Sequence, residues 1–163
     1  MLKQYTLPFV SHPSAPYEAQ GVASSVLIWL HRQHHPVYRF LNAFQTTISV
    51  VDWSPDGNIL LAGSMTGEVL AWRFATGDIL LANRHAHSYA PLCGLSWSPG
   101  GDYLVALTMA RTLQIWRVAT RSCLLVLPCQ GDTTMITWSL DGSGFSTNDG
   151  VIWNELTLTG GRG

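Results

Sequence analysis

Lysine is almost missing from this chain of 163 residues: Lys3 is the single one, and the other eight basic residues are arginines. Charge of any sign is scarce, at 12% of residues and a formal net of -1. Nine basic residues against ten acidic ones exclude a strongly basic nucleic-acid footprint as the default. The apolar runs are short and interrupted, so no membrane span is expected. The start, Met1 to Val10, lacks the basic head and long apolar core of a signal peptide. Three cysteines, Cys93, Cys123 and Cys129, make no even-numbered disulfide framework, which suits a reducing cytoplasm. No Gly-x-Ser-x-Gly and no phosphate loop occurs. Helix is also missing: Ser14 to Ser24 offers one turn at most, with Pro13 and Pro16 at its start. What the chain does have is an apolar fraction of 47%, the opposite of a disordered composition. Its length suits one domain rather than two.

It also has tryptophan in a two-beat repeat. Trp53-Ser54-Pro55-Asp56-Gly57 returns as Trp97-Ser98-Pro99-Gly100-Gly101 and as Trp138-Ser139-Leu140-Asp141-Gly142, at steps of 44 and 41 residues. A second motif runs in phase: Val69 to Phe74 around Trp72, Leu113 to Val118 around Trp116, and Val151 to Asn154 around Trp153. The two tryptophans of a unit lie 19, 19 and 15 residues apart. One further copy of the second motif, Val26 to Leu30 around Trp29, has no first motif ahead of it. All seven tryptophans fall on this pattern.

Each unit reads as strands separated by turns. In Ser-Pro-Asp-Gly, proline fixes φ, the aspartate caps its own backbone, and glycine takes the dihedral other residues refuse. Ile59 to Ala62, Val69 to Phe74 and Ile79 to Ala82 are expected strands, as are Leu92 to Trp97, Tyr103 to Leu107, Thr112 to Val118 and Leu124 to Leu127. Short strands with Gly/Pro/Asp turns suggest an antiparallel sandwich, barrel or propeller. A period of roughly 40–45 residues selects the four-stranded propeller blade.

At these paired motifs the chain resembles the WD40-repeat family across residues 22 to 157. The resemblance implies an all-β fold of three to four blades, with each repeat supplying the outer strand of one blade and the inner three of the next. It divides the chain into an N-terminal segment 1–21, repeat units near 22–46, 47–90, 91–131 and 132–157, and a flexible tail 158–163. It makes Trp72, Trp116 and Trp153 the tryptophans of the family's Trp-Asp ending. The aspartate itself is replaced by Leu30, Arg73, Arg117 and Asn154. The family's Gly-His opening survives as Ala86-His87, and its hydroxyl position as Ser64 and Thr108. The best unit therefore has a His87, Thr108, Trp116 network. The network's aspartate position holds Thr66, Ala110 and Thr147, while Asp149 lies four residues before Trp153 as a substitute. Closed propellers need roughly four to eight blades. A homodimer completing the ring, a partner chain supplying blades, and a truncated fragment are the three answers to that count.

Candidate chemical groups are few. His31, His34 and His35 fall in a loop between strands, where metal binding on a helix face is not expected. His85 and His87 share a strand face, and the family role of His87 is structural. The cysteine spacing fits no zinc pattern. Trp29, Trp53, Trp72, Trp97, Trp116, Trp138 and Trp153 are expected in the core rather than on a stacking platform. Arg73 and Arg117 occupy equivalent positions and are expected on a rim facing an acidic partner. The function implied is a non-catalytic protein-interaction scaffold without cofactor, membrane or nucleic-acid partner. The alternatives are a degenerate fragment and a propeller enzyme.

Overall fold

The computed structural model describes residues 7, 9–40, 43–83, 90–129, 133 and 135–154. Its described residues form strands and turns with no helix, and fifteen strands are assigned to four antiparallel sheets. The first sheet holds β1 (Val10–Ser11), β2 (Tyr17–Val22), β3 (Ser25–Leu30) and β4 (Tyr38–Phe40). The second holds β5 (Ile48–Trp53), β6 (Ile59–Ser64), β7 (Val69–Arg73) and β8 (Ile79–Asn83). The third holds β9 (Leu92–Trp97), β10 (Tyr103–Thr108), β11 (Thr112–Arg117) and β12 (Ser122–Pro128). The fourth holds β13 (Ile136–Trp138), β14 (Gly144–Thr147) and β15 (Ile152–Asn154). In every sheet the strands lie side by side in chain order, as in a propeller blade.

Local chemistry explains the turns. The Ser54 N–H donates to the Ile59 carbonyl (2.9 Å). Ser54 Oγ accepts from the Ile59 N–H (2.9 Å) and donates to Asp56 Oδ1 (2.6 Å). Gly57 sits at φ 72°, a dihedral costly for any side chain. Ser98 with Tyr103 and Ser139 with Gly144 repeat the backbone bond at 2.9 Å each.

The same bond appears once more where no motif is expected: the His12 N–H donates to the Tyr17 carbonyl (2.8 Å). Ser11-His12-Pro13 is therefore the first-motif turn of the first sheet, with serine in the tryptophan position and Pro13 matching Pro55 and Pro99. The reading that Trp29 lacks a first motif ahead of it is corrected. So is the single helical turn allowed across Ser14 to Ser24, since Tyr17–Val22 pairs in register with Ser25–Leu30. The missing tryptophan hid a turn whose backbone is intact.

The chain clusters into two compact units, one of Met1–Leu95 with Thr108–Ala110, the other of Ser96–Leu107 with Arg111–Gly163. In the first, Ala19, Val26 and Ile28 of the first sheet pack with Ile48, Val51, Trp53, Leu60, Leu70 and Trp72 of the second. Backbone bonds seal this seam, from the Ile48 N–H to the Ala23 carbonyl (2.7 Å) and from Phe44 to Ser24 (3.3 Å). Close approach also requires Gly63, where a β-carbon would lie 2.3 Å from Leu92 Cδ1. In the second unit Tyr103, Val105, Leu113 and Ile115 pack with Phe145 and Trp153. The tail 158–163 and His85 and His87 lie outside the described residues.

Candidate functional site

The two hairpin ends of the first unit differ in chemistry. One end carries the first-motif turns and the turns after the second-motif tryptophans. There, four aromatic rings meet around Phe74: Trp53 at 4.9 Å, Tyr17 at 5.1 Å, His12 and Tyr38 each at 5.8 Å between centroids. Trp53 is buried, His12, Tyr17 and Phe74 are half-buried, and Tyr38 is 53% exposed. The cluster forms because β2 and β5 face each other across the seam and Phe74 follows β7 directly.

His12 ties the seam together. Its Nδ1 accepts from the Ser14 N–H (3.1 Å) and the Ala15 N–H (2.9 Å). The proton therefore resides on Nε2, which donates to the Gly57 carbonyl (3.0 Å) in the turn of the next sheet. The ring packs edge-on to Trp53 at 4.7 Å. The Trp53 indole N–H in turn donates to the Val10 carbonyl (3.1 Å). In the second unit Trp138 repeats that reach, donating to Ser96 Oγ (3.0 Å).

The tryptophans divide by position. Trp53, Trp72, Trp116 and Trp153 are buried, while Trp29, Trp97 and Trp138 are partly exposed. Trp29 packs edge-on to Phe9 at 5.9 Å. Among the described residues the indole N–H groups of Trp29, Trp97, Trp116 and Trp153 meet no acceptor, and both amide atoms of buried Gln114 meet no partner. Thr108 is buried, but the expected network with His87 falls partly outside the described residues.

Ser64 does meet a carboxylate, though not at the expected position. Glu68, buried and four residues before Trp72, accepts from Ser64 Oγ (3.4 Å) and Thr66 Oγ1 (3.3 Å). Thr66 also bonds Thr46 (3.1 Å). The carboxylate has moved two residues along, as it has where Thr147 donates to Asp149 ahead of Trp153. The four-residue offset of Asp149 was the signal that also finds Glu68.

Arg73 and Arg117 both lie exposed at the last position of their strands. Arg73 makes no ion pair among the described residues. Arg117 stacks over Tyr103, its directly paired neighbour, at 5.7 Å. His31, in the loop between β3 and β4, stands 3.7 Å from Glu18, and no metal-holding group of His, Cys, Asp or Glu occurs among the described residues. Cys123 is half-buried, and that burial pushes its thiol up from the usual range.

The model of the WD domain, G-beta repeat (WD40) family matches residues 35–73 and 79–117. Each match begins near an outer strand, β4 or β8, runs through the three inner strands of the next sheet, and ends on its Trp-Arg pair. This is a WD40-repeat protein. The chain is 40% identical over 55 residues to human "WD repeat and HMG-box DNA-binding protein 1", covering 34% of this chain and 5% of that one. It is 33% identical over 82 residues to "Polyadenylation factor subunit 2" of Schizosaccharomyces pombe (strain 972 / ATCC 24843), covering 50% of this chain and 14% of that one. The chain thus spans a small part of the length of the curated relatives it matches. The WD40 matches leave β1, β2 and β3 outside them, and also the fourth sheet.

Proposed function

We propose that this WD40-repeat protein is a non-catalytic interaction module that receives a partner protein or peptide bearing carboxylates at its Trp-Arg strand ends. One observation carries the reading. A buried tryptophan is followed at once by an exposed arginine, in Trp72-Arg73 and again in Trp116-Arg117. The anchored ring fixes the backbone from which the guanidinium projects. Arginine forks pair with carboxylates in fixed geometry. The Tyr103 face further orients Arg117.

The DNA-binding and polyadenylation named in the relatives' titles belong to proteins of which the matched stretch is 5% and 14%. A formal charge of -1 supports a protein partner over nucleic acid. Catalysis by converging acid, base or nucleophile finds no support in the scattered histidines and turn-bound aspartates. Three free thiols suit a reducing, cytoplasmic setting. Completion of a ring by a second copy belongs to the same proposal and is read by light scattering, as a mass near twice 17.9 kDa.

The test is Arg73→Ala and Arg117→Ala, singly and together. The double variant is expected to lose partner capture and the salt dependence of that capture. Unchanged capture at every salt concentration would remove the arginines from the interface.

A further inference from the structure

The seam inside each unit is built from rows of side chains that run across neighbouring strands on one face of a sheet. In the first unit the row Val10, Ala19 and Ile28 of the first sheet packs with the row Trp53, Leu60 and Trp72 of the second. In the second unit Ser96, Val105 and Ile115 of the third sheet meet the row Trp138, Phe145 and Trp153 of the fourth. An indole bond joins the first position of each seam, from Trp53 to the Val10 carbonyl and from Trp138 to the Ser96 hydroxyl, so the two seams share one register. Position by position they then follow one rule. The middle pair is apolar, Ala19 with Leu60 and Val105 with Phe145. The last pair sets an isoleucine with a tryptophan, Ile28 with Trp72 and Ile115 with Trp153.

Two more rows occupy these positions on the far faces of the first and fourth sheets. The first sheet presents Ser11, Glu18 and Trp29, equivalent to Trp53, Leu60 and Trp72. The fourth presents Thr137, Ser146 and Ile152, equivalent to Val10, Ala19 and Ile28. Ile152 is 78% exposed where Ile28 and Ile115 are fully buried. Trp29 is partly exposed where Trp72 and Trp153 are buried. At the middle position both faces depart from the rule together, one with Glu18 and the other with Ser146. A carboxylate set against an apolar residue in such a seam would be costly. A hydroxyl opposite it supplies a charge-assisted hydrogen bond instead. The two far faces therefore keep the isoleucine-with-tryptophan pair and replace the apolar middle pair by a donor and an acceptor.

We infer that the Thr137, Ser146 and Ile152 face of one copy of the chain docks on the Ser11, Glu18 and Trp29 face of a second copy. Ser146 Oγ donates to the Glu18 carboxylate across this contact, and Ile152 packs on Trp29. The pairing supplies the surfaces for the second-copy part of the proposed function and rests on that reading. The occupant is a second copy because both halves of the match lie in this one sequence, and Ile152 stays exposed in a single chain. Each copy carries both faces, so two copies that close on each other make the contact twice.

The test is light scattering of the full chain over a concentration series. Expected is a wild-type mass near twice 17.9 kDa. Ser146→Glu sets one carboxylate against another and is expected to weaken association about a hundredfold or more. Adding Glu18→Lys to that variant opposes the charges again and is expected to restore the dimer. Ile152→Glu is expected to give a monomer as well. Leu140→Glu is the control, since this side chain is 99% exposed in the turn after Trp138 and lies outside the row. Residues 146 and 152 are exposed, and a wild-type circular dichroism spectrum shows that each variant has folded. A dimer that persists in Ser146→Glu and in Ile152→Glu overturns these faces and leaves the second-copy reading standing. A wild-type monomer at every concentration overturns both, without bearing on partner capture at Arg73 and Arg117. Loss of the dimer with no rescue by Glu18→Lys overturns the Ser146 to Glu18 pair.

Discussion

His12 offers the sharpest test of how the first two sheets are joined. Replacing it with alanine removes two acceptor contacts at its own turn, the donor bond to Gly57, and the edge-on contact with Trp53. A typical intramolecular hydrogen bond contributes about 1 kcal/mol net. An aromatic edge contact adds about 0.5–1.5 kcal/mol. Discounting the exposed bond from Ser14, His12→Ala is expected to cost about 3 kcal/mol. His12→Ser supplies the hydroxyl that in Ser54, Ser98 and Ser139 accepts from the backbone N–H five residues on, so it is expected to support the turn and lose mainly the cross-sheet part, about 1.5–2.5 kcal/mol. The assay is urea unfolding followed by tryptophan fluorescence, where a slope near 2 kcal/mol/M turns 3 kcal/mol into a midpoint shift of about 1.5 M. A double-mutant cycle with Gly57→Ala isolates the contact, because a β-carbon at residue 57 would lie 2.2 Å from the imidazole Cε1. The backbone strain of Gly57→Ala is common to both backgrounds, so its cost must fall in the serine background. Equal costs in both backgrounds, or an alanine variant within about 0.5 kcal/mol of wild type, would refute the latch.

Arg121 holds φ 57° where the equivalent residue of the second sheet is Gly77 at φ 74°, so Arg121→Gly is expected to stabilise the chain by about 0.5–1 kcal/mol, read as a raised urea midpoint. Asp141 is held at a pKa of about 2 by hydrogen bonds from Ser139 and then Ser143, against an ordinary 3.8. A folded-state value below the unfolded one means the contribution is fully present above 3.8 and fades as the pH falls toward about 2. Asp141→Asn is expected to flatten the acid limb of the melting-temperature profile in that window. An unchanged limb would show that the turn's hydrogen bonds do not favour the carboxylate.

What could be seen in the sequence was what is local. The Ser-Pro-Asp-Gly turns close within six residues, so Ser54, Asp56 and Ile59 announce their own bonds. Strands β6 to β12 followed from those turns and the tryptophan phase. The first sheet was harder because Ser11 stands in the tryptophan position and His12 replaces the serine, its imidazole accepting from Ser14 and Ala15 where the serine hydroxyls accept from the residue five on. The backbone bond is common to all four turns, but its side-chain signature is not. The aromatic cluster was invisible for another reason. Residues 12, 17, 38, 53 and 74 meet only once two sheets have packed, and no periodicity links them. Glu68 escaped notice because the carboxylate was sought six residues before Trp72 rather than four. Exposure at Met65 and Met109 is legible only from the fold, since the sequence presents both as apolar residues beside buried strands.

The tryptophan bonds that cross between sheets leave different freedom to mutation. Trp53 is received by the main-chain carbonyl of Val10, an acceptor every amino acid at position 10 supplies. Trp138 is received by the hydroxyl of Ser96, which only a serine or its nearest chemical kin provides. Neutral drift is therefore open at the first joint and closed at the second. Among lineages descended from this chain, position 10 should wander through the apolar residues while position 96 stays hydroxylated for as long as Trp138 persists.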